Sequence, residues 1–290
     1  MRDDRAVRNF SAILRVLLVV STVYVAGPPM AAQSSEPDVA ARLIGKPLYL
    51  RGFWMDDKLK FDGAGQPAKN YRSGTFTESG MEVTKVRVGG DHMQIEGLRI
   101  ATTFSHEGVI YRAPVRLKAS DDKSVEKMSV EVDGHGVTDF GVALDAIFSD
   151  GLEGLVPLLP DYWQPYAKKR FGLPPDKPVG PMDVNAGPTE AKEAHTLHVG
   201  GGVKPPRVVS QSDPEFSEFA RRQKFSGNVE IYLWAGVDGR PSHIAIARPV
   251  GYGLDEKAVE AVSRYRFQPA MRNGEPVAVD LYIDVNFQIF

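Results

Sequence analysis

Histidine and acidic residues are the side chains of this sequence with the clearest capacity for chemistry. Glu193, His195 and His198 form a Glu-x-His-x-x-His cluster, and imidazole and carboxylate groups are ligands that zinc accepts. Helical zinc sites, however, use His-Glu-x-x-His, in which the histidines are four residues apart on one face. Here the histidines are three apart, in a stretch rich in proline and glycine. The spacing favours solvated histidines, and we expect no metal site.

Other candidate groups lack the partners that catalysis requires. His92, His106 and His135 are scattered through the first half, without a serine or aspartate at a diagnostic spacing. The glycine run at 200–202 has no preceding strand and no following Lys-Ser/Thr, so it is interpreted as a hinge and not as a phosphate loop. The sequence therefore predicts neither an enzyme nor a bound cofactor. An unusual active site within residues 36–171, such as that of a hydrolase, stays open as an alternative.

The sequence also gives no support for calcium binding, cysteine chemistry or nucleic-acid binding. The acidic residues of the first half match no calcium-loop pattern; they are Asp121, Asp122, Asp145, Asp150 and Glu153. The chain has no cysteine, which excludes disulfides, thiolate metal sites and cysteine nucleophiles. A formal net charge of -2 gives no reason to expect nucleic acid as a partner. The length of 290 residues suggests two domains.

The N-terminus has the pattern of a targeting segment. Four arginines (Arg2, Arg5, Arg8 and Arg15) precede an apolar run at 16–26, which ends at Pro28-Pro29 and the small residues Ala31-Ala32. This order is typical of a secretory signal peptide over residues 1–32 and predicts a secreted or periplasmic protein. An uncleaved inner-membrane anchor facing the periplasm is the alternative, although the apolar run is shorter than the ~20 residues of a spanning helix.

The first half reads as a β-rich domain at 36–171. Residues 82–88 and 93–100 alternate apolar and polar side chains on either side of Gly89-Gly90-Asp91, which predicts a hairpin. About six such strands predict a sandwich or barrel-like fold, followed by a helical segment near 140–159. Tyr162, Trp163 and Tyr166 then form either an aromatic packing anchor or a contact patch. Prolines and glycines at 172–206 predict a linker, and hence two tethered modules.

The last strand is the clearest element of the chain. Every odd position from 277 to 289 is apolar: Val277, Val279, Leu281, Ile283, Val285, Phe287 and Ile289. Strict alternation predicts a half-buried β-strand, because successive side chains point to opposite faces of a sheet. A strand of this length outruns its neighbours and leaves backbone N–H and C=O groups that a second chain can pair with. The pattern therefore indicates a binding module.

The residues upstream predict a small α+β unit at 207–290. Asp213-Pro214 predicts a helix start, and alternation at 229–235 and 243–248 predicts two strands around an Asp-Gly turn. Helical spacing at 254–266 predicts a second helix, and Asn273-Gly274 turns the chain into the final strand. The expected order is helix, strand, strand, helix, strand, with both helices on one face of an antiparallel sheet.

Eight short segments in this order resemble one known family. They are residues 200–206 (GGGVKPP), 213–216 (DPEF), 227–229 (GNV), 238–241 (DGRP), 253–259 (GLDEKAV), 267–270 (FQPA), 273–277 (NGEPV) and 285–287 (VNF). Together they resemble the C-terminal domain of TonB-family proteins. The resemblance covers residues 200–290 and leaves the first half unassigned.

The resemblance implies a periplasmic domain that captures the TonB-box peptide of an outer-membrane receptor by strand addition, in TonB-dependent transport. The corresponding peptide-binding residues are Val279, Asp280, Leu281, Tyr282, Ile283, Asp284 and Val285, with Ser210 and Gln211 in a further contact region. That region departs from the family pattern, because Asp213-Pro214 stands where the family has an aromatic-proline pair.

Two points about partners stay open. A contact with the ExbB–ExbD complex is implied only if the N-terminus is an uncleaved anchor, and the chain has no histidine before His92. The alternative to receptor binding is an envelope protein that uses the TonB-like fold to form a homodimer, while the β-rich half binds the ligand.

Overall fold

Five α-helices and sixteen β-strands occur in the computed structural model, which describes residues 33–121, 123–171 and 196–289. The helices are α1 (Glu36–Leu43), α2 (Gly141–Ile147), α3 (Gln164–Phe171), α4 (Glu218–Gln223) and α5 (Leu254–Ser263). The strands of the first half are β1 (Leu48–Leu50), β2 (Lys58–Asp62), β3 (Gly80–Gly89), β4 (His92–Phe104), β5 (Ile110–Pro114), β6 (Lys127–Asp133) and β7 (Phe148–Ser149). Those of the second half are β8 (Leu197–His198), β9 (Val203–Lys204), β10 (Arg207–Ser210), β11 (Gly227–Ala235), β12 (Pro241–Arg248), β13 (Arg266–Gln268), β14 (Ala270–Arg272), β15 (Glu275–Val277) and β16 (Val279–Phe287).

Several predictions fall outside this part of the chain. They are the signal peptide or anchor at 1–32, residues Glu193 and His195, and most of the predicted linker. Among the described residues, no helix is both long enough and apolar enough to cross a membrane.

The first half is built on one seven-stranded sheet in the order β2-β6-β4-β3-β1-β7, with β5 paired to β4. Alternation along β4 buries Met93 and Ile95, as the hairpin prediction requires. Val39 of α1 and Leu144 of α2 join these residues in one hydrophobic cluster. The predicted sandwich or barrel is therefore wrong, because helices and not a second sheet provide the second layer.

The second half contains a four-stranded sheet in the order β12-β11-β16-β8. The predicted order of helix, strand, strand, helix, strand is present as α4, β11, β12, α5 and β16. Leu254 and Val262 of α5 pack in the same cluster as Ile231 of β11 and Val285 of β16. The helices therefore bury the apolar face that the sequence pattern predicts.

Two boundaries differ from the predictions. Helix α4 begins at Glu218 and not at Asp213-Pro214, because the Ser217 hydroxyl accepts the Ala220 N–H at 3.0 Å and so satisfies a free helix donor. The last strand covers Val279–Phe287 only. The Asn273-Gly274 turn joins β14 to β15, so Val277 belongs to this hairpin and not to the final strand.

The two halves pack against each other and do not form tethered modules, since the described residues from 33 onwards belong to one compact unit. Phe104 N–H donates to the Val250 carbonyl at 3.1 Å, and Gly253 N–H donates to the Thr77 hydroxyl at 3.0 Å. The end of the predicted linker is also part of the fold, because β8 pairs with β16 and β9 pairs with β14. Long-range pairing of this kind has no local sequence signal.

The aromatic cluster before α3 is a packing anchor between the halves. Trp163 is fully buried, and its ring meets Phe76 edge-to-face at 4.5 Å between centroids. Its Nε1–H donates to Glu256 of α5 at 2.8 Å. Of the two interpretations of this cluster, packing is the one that the structure supports.

Candidate functional site

Among the described residues, no segment pairs with the outer side of β16 over most of its length. On its inner side β16 pairs with β11 from Val279 to Phe287. On its outer side, within the part of the chain that the structure describes, only Val279 and Asp280 pair, in parallel, with β8. No other described segment pairs with β16 beyond Asp280. We call the outer side of β16 from Leu281 to Phe287 the open edge.

The other edge of this sheet, β12, has neighbours from the first half of the chain. Helix α3 and the 3-10 turn at Asp161–Trp163 both pack beside β12. The other edge strand of the sheet, β16, has no pairing partner on its outer side beyond Asp280 among the described residues. An uncovered strand of this kind is the surface to which an extended peptide adds.

The side chains that face the helices are less well covered on β16 than on β11. Ile231 and Leu233 of the central strand are completely buried. Their partners Ile283 and Leu281 are only half-buried at the border of the core. An added strand would bury the remaining apolar surface of these two side chains.

Backbone groups of even-numbered residues point to the open edge. Leu197 N–H of β8 donates to the Ala278 carbonyl at 3.1 Å, which places Ala278 on the outer side. Backbone groups alternate in direction along a strand, so those of Tyr282, Asp284 and Asn286 also point outward. These residues offer a row of donors and acceptors to a second strand.

The even-numbered side chains lie on the sheet face opposite the helices. Tyr282 is 57% exposed and packs on Tyr232, with ring centroids 5.3 Å apart. Burial raises the pKa of Tyr232, whose hydroxyl accepts the Trp234 Nε1–H at 2.8 Å. The Asp284 carboxylate accepts the Asn228 amide at 2.9 Å. This face is therefore aromatic near Tyr282 and polar near Asp284.

The nine predicted site residues fall into two groups. Residues 279–285 lie together on β16, and their role in peptide binding stays a prediction. Ser210 ends β10, which pairs with β13 in a separate two-stranded sheet, and Gln211 follows it, exposed. The chain then returns towards β16, where Phe216 meets Phe287 edge-to-face at 5.4 Å.

Sequence reasoning missed Leu197 and His198 as members of this site. They were assigned to a linker, and His198 to a pair of solvated histidines. The structure places them in β8 against the first residues of β16. Two residues are too few to show an alternating pattern, so the sequence contained no signal for this strand.

A second cluster unites histidines that the sequence leaves scattered. His92 Nδ1 lies 2.7 Å from Asp91 and its Nε2 lies 3.6 Å from Asp133, while His135 Nδ1 lies 3.5 Å from the same Asp133. Donor atoms of Asp91, His92 and Asp133 are within 4.8 Å of one another, a geometry that a cation could use. The hydrogen bond to Asp91 and the charge of Asp133 raise the pKa of His92. This exposed cluster is therefore explained by ion pairs that join the β3–β4 turn to the end of β6.

Three carboxyl groups are buried where the halves meet. Asp255 accepts the N–H groups of Val250 at 2.7 Å and Gly251 at 2.8 Å, yet burial raises its pKa. Burial and the neighbouring Asp255 raise the pKa of Glu256, whose Oε2 is buried without a hydrogen-bond partner. Burial raises the pKa of Glu78 to about 7. These groups make the contact between the halves sensitive to pH.

Comparisons with known proteins found similarity in the second half of the chain. Residues 212–289 match the family model of the Gram-negative bacterial TonB protein C-terminal. Protein TonB of Vibrio cholerae serotype O1 is 28% identical over 103 residues, which are 35% of this chain and 42% of that relative. The chain thus spans less than half the length of this relative. The solution NMR structure of Pseudomonas aeruginosa TonB CTD is 21% identical and covers 33% of this chain and 96% of that one, with a TM-score of 0.27.

The resemblance predicted from the sequence is therefore confirmed for the end of the chain: residues 212–289 are a TonB C-terminal domain.

Proposed function

We propose that this protein is a TonB-like component of transport across the outer membrane. In this role it binds a receptor peptide from the periplasmic side, by adding the peptide as a strand to β16. The observation that carries the proposal is the open edge itself, in a domain that matches the TonB C-terminal family. Backbone groups would supply affinity, and the half-buried Leu281 and Ile283 would gain apolar contacts.

The first half would act as a scaffold in this function. It covers β12 through α3, so that β16 remains as the accessible strand. It also fixes α5 through Trp163 and Glu256. A partner would therefore approach the sheet from the β16 side.

Substitution of Asp284 tests the proposal at the backbone. Asp284→Pro removes an outward N–H while leaving the pairing of β16 with β11 possible, because proline is tolerated on the free side of an edge strand. Asp284→Thr is the matched control, since it also removes the carboxylate but keeps the backbone N–H. We expect a TonB-box peptide to bind the threonine variant about as well as the wild type and to lose at least tenfold in affinity for the proline variant.

Amide shifts in isotope-labelled protein locate the peptide. Shifts concentrated at residues 281–287 support the proposal. Unchanged spectra at millimolar peptide would reject it. A dimer seen by light scattering that persists on dilution, and that Asp284→Pro dissociates, would also reject it, because a second copy would then occupy the open edge.

A further inference from the structure

We propose that Asp280 forms an acidic subsite at the entrance to the open edge, and that this subsite selects a partner strand with a basic side chain. Leu197-His198 occupies the subsite until the partner displaces it. The inference rests on the proposed function of β16, and it adds the chemistry of the partner and a competitor within the chain.

Asp280 differs from Asp284, the other carboxylate of β16 on the sheet face opposite the helices. Its side chain is 10% exposed, against 61% for Asp284. Asp284 accepts the Asn228 amide and lies 3.5 Å from Arg248. Oδ1 of Asp280, in contrast, is buried and has no hydrogen-bond partner among the described residues. Burying a carboxylate without a donor is costly, so this position favours a cation that supplies one.

His198 meets this requirement only in part. Its Nδ1 lies 2.9 Å from Oδ1 of Asp280, but without the alignment of a hydrogen bond, and its side chain is 85% exposed. An imidazole ring nitrogen also offers Asp280 at most one N–H, whereas arginine offers five donors and lysine three. A strand with a basic residue at this position would therefore pair with Asp280 better than β8 does.

Strand β8 is short enough to be displaced. It consists of two residues, its Leu197 N–H donates to the Ala278 carbonyl, and Leu197 packs at the border of the core. A longer strand would repeat these contacts and add hydrogen bonds along the open edge. A longer partner strand would therefore form more backbone hydrogen bonds with β16 than are lost when β8 leaves.

The register of β8 defines the partner's pattern. Leu197 lies opposite Val279 and shares the sheet face that packs on the helices. His198 lies opposite Asp280 and shares the other face of the sheet. A strand in the same register places an apolar residue at the first position and a basic one at the second. Its next two apolar residues then cover Leu281 and Ile283.

Two synthetic peptides test the subsite. The first, Thr-Leu-Arg-Val-Thr-Val-Thr, follows this pattern, and the second has glutamate in place of arginine. Calorimetry at low salt should show the arginine peptide binding about tenfold more tightly to the wild type. Asp280→Asn should reduce that preference to within about twofold, whereas Asp284→Asn, on the same face of β16, should leave it unchanged.

Variants of His198 test the competitor. His198→Glu places two carboxylates together, so we expect faster hydrogen exchange at the Leu197 amide and severalfold tighter binding of the arginine peptide. His198→Lys should have the opposite effect on both measurements. Unchanged exchange and affinity in both variants would overturn the competitor role.

The outcomes separate this inference from the proposed function. Equal affinity of the two peptides for the wild type would overturn the subsite and leave strand capture intact. If neither peptide binds any variant and a TonB-box peptide also fails, strand capture itself is rejected. Thermal melts of Asp280→Asn confirm that it is folded, and the His198 variants give a second reading that leaves Asp280 unchanged.

Discussion

The pH dependence of Glu78→Gln provides a direct test of how the two halves pack. Glu78 belongs to the 3-10 turn Phe76–Glu78 in the first half and is 5% exposed. Its carboxylate lies against Gly253 at the start of α5, where a Cβ would come within 2.8 Å of its Oε1. Gly253 has a φ of 70°, so this close approach uses a backbone conformation that suits glycine. The Glu78 carboxylate is buried because the second half covers it.

The expected magnitude follows from the pKa. Burial raises the pKa of Glu78 from 4.5 to about 7, although the Thr75 hydroxyl and N–H, Arg99 and Arg222 each lower it. Below pH 4.5 the carboxyl is protonated in both the folded and the unfolded state, and ionisation has no effect on stability. Above that pH the unfolded state releases its proton first, so stability falls until the pH passes about 7. At about 1.4 kcal/mol per pKa unit, the full loss is about 3 kcal/mol.

Glutamine has nearly the same shape and does not ionise. The free energy of unfolding of Glu78→Gln should therefore rise relative to the wild type by about 3 kcal/mol between acidic and mildly alkaline pH. Urea titrations at a series of pH values measure this difference. Glu82→Gln on the exposed side of β3 is the matched control and should follow the wild type throughout. A constant difference between Glu78→Gln and the wild type would mean that Glu78 is solvated, and would refute the packing of the halves.

Two further substitutions test a buried network inside the first half and a close backbone approach between the halves. Arg99→Leu removes a buried guanidinium that donates to Glu126 at 2.7 Å and to four backbone carbonyls. The free energy of unfolding in urea should therefore fall by about 3–5 kcal/mol. The control Arg87→Leu breaks an exposed ion pair and should lower it by at most about 1 kcal/mol. Gly251→Ala combines a φ of 96° with a Cβ only 2.2 Å from a backbone oxygen of β4, whereas Gly136→Ala has a φ of 92° and open space. Gly251→Ala should therefore destabilise the protein by at least about 2 kcal/mol more than Gly136→Ala, and equal losses would show that β4 does not contact this turn.

Local patterns predicted most of the second half. Alternation at 277–289 predicted a half-buried final strand, and helical spacing predicted α5. Both signals come from side chains that face a common core, so they are readable without knowing the neighbours. The start of this strand at Val279 was not predicted, because Val277 pairs with Ala270 in the β14–β15 hairpin.

The sequence predicted free backbone groups on the last strand, but for the wrong reason. Strands β16 and β11 are both 9 residues long and pair over their full length, so the free groups lie along the outer side of β16 and not beyond the end of its neighbour. The sequence indicated residues 279–285, yet whether a strand is central or at the border depends on which segments pair with it. Leu197-His198 contacts this strand from about 80 residues away, and nothing in its composition predicts that contact. The same holds for Trp163 and Glu256, which meet across the two halves.

The sequence by itself determined the elements of the C-terminal domain, its family and the strand most suited to binding, because periodicity and turn residues act over a few positions. Only the tertiary structure decided which side of that strand is accessible, that β8 occupies its entrance and that the two halves share a core. These features depend on contacts between distant segments, and the free energy that selects such contacts comes from the packing of the whole unit.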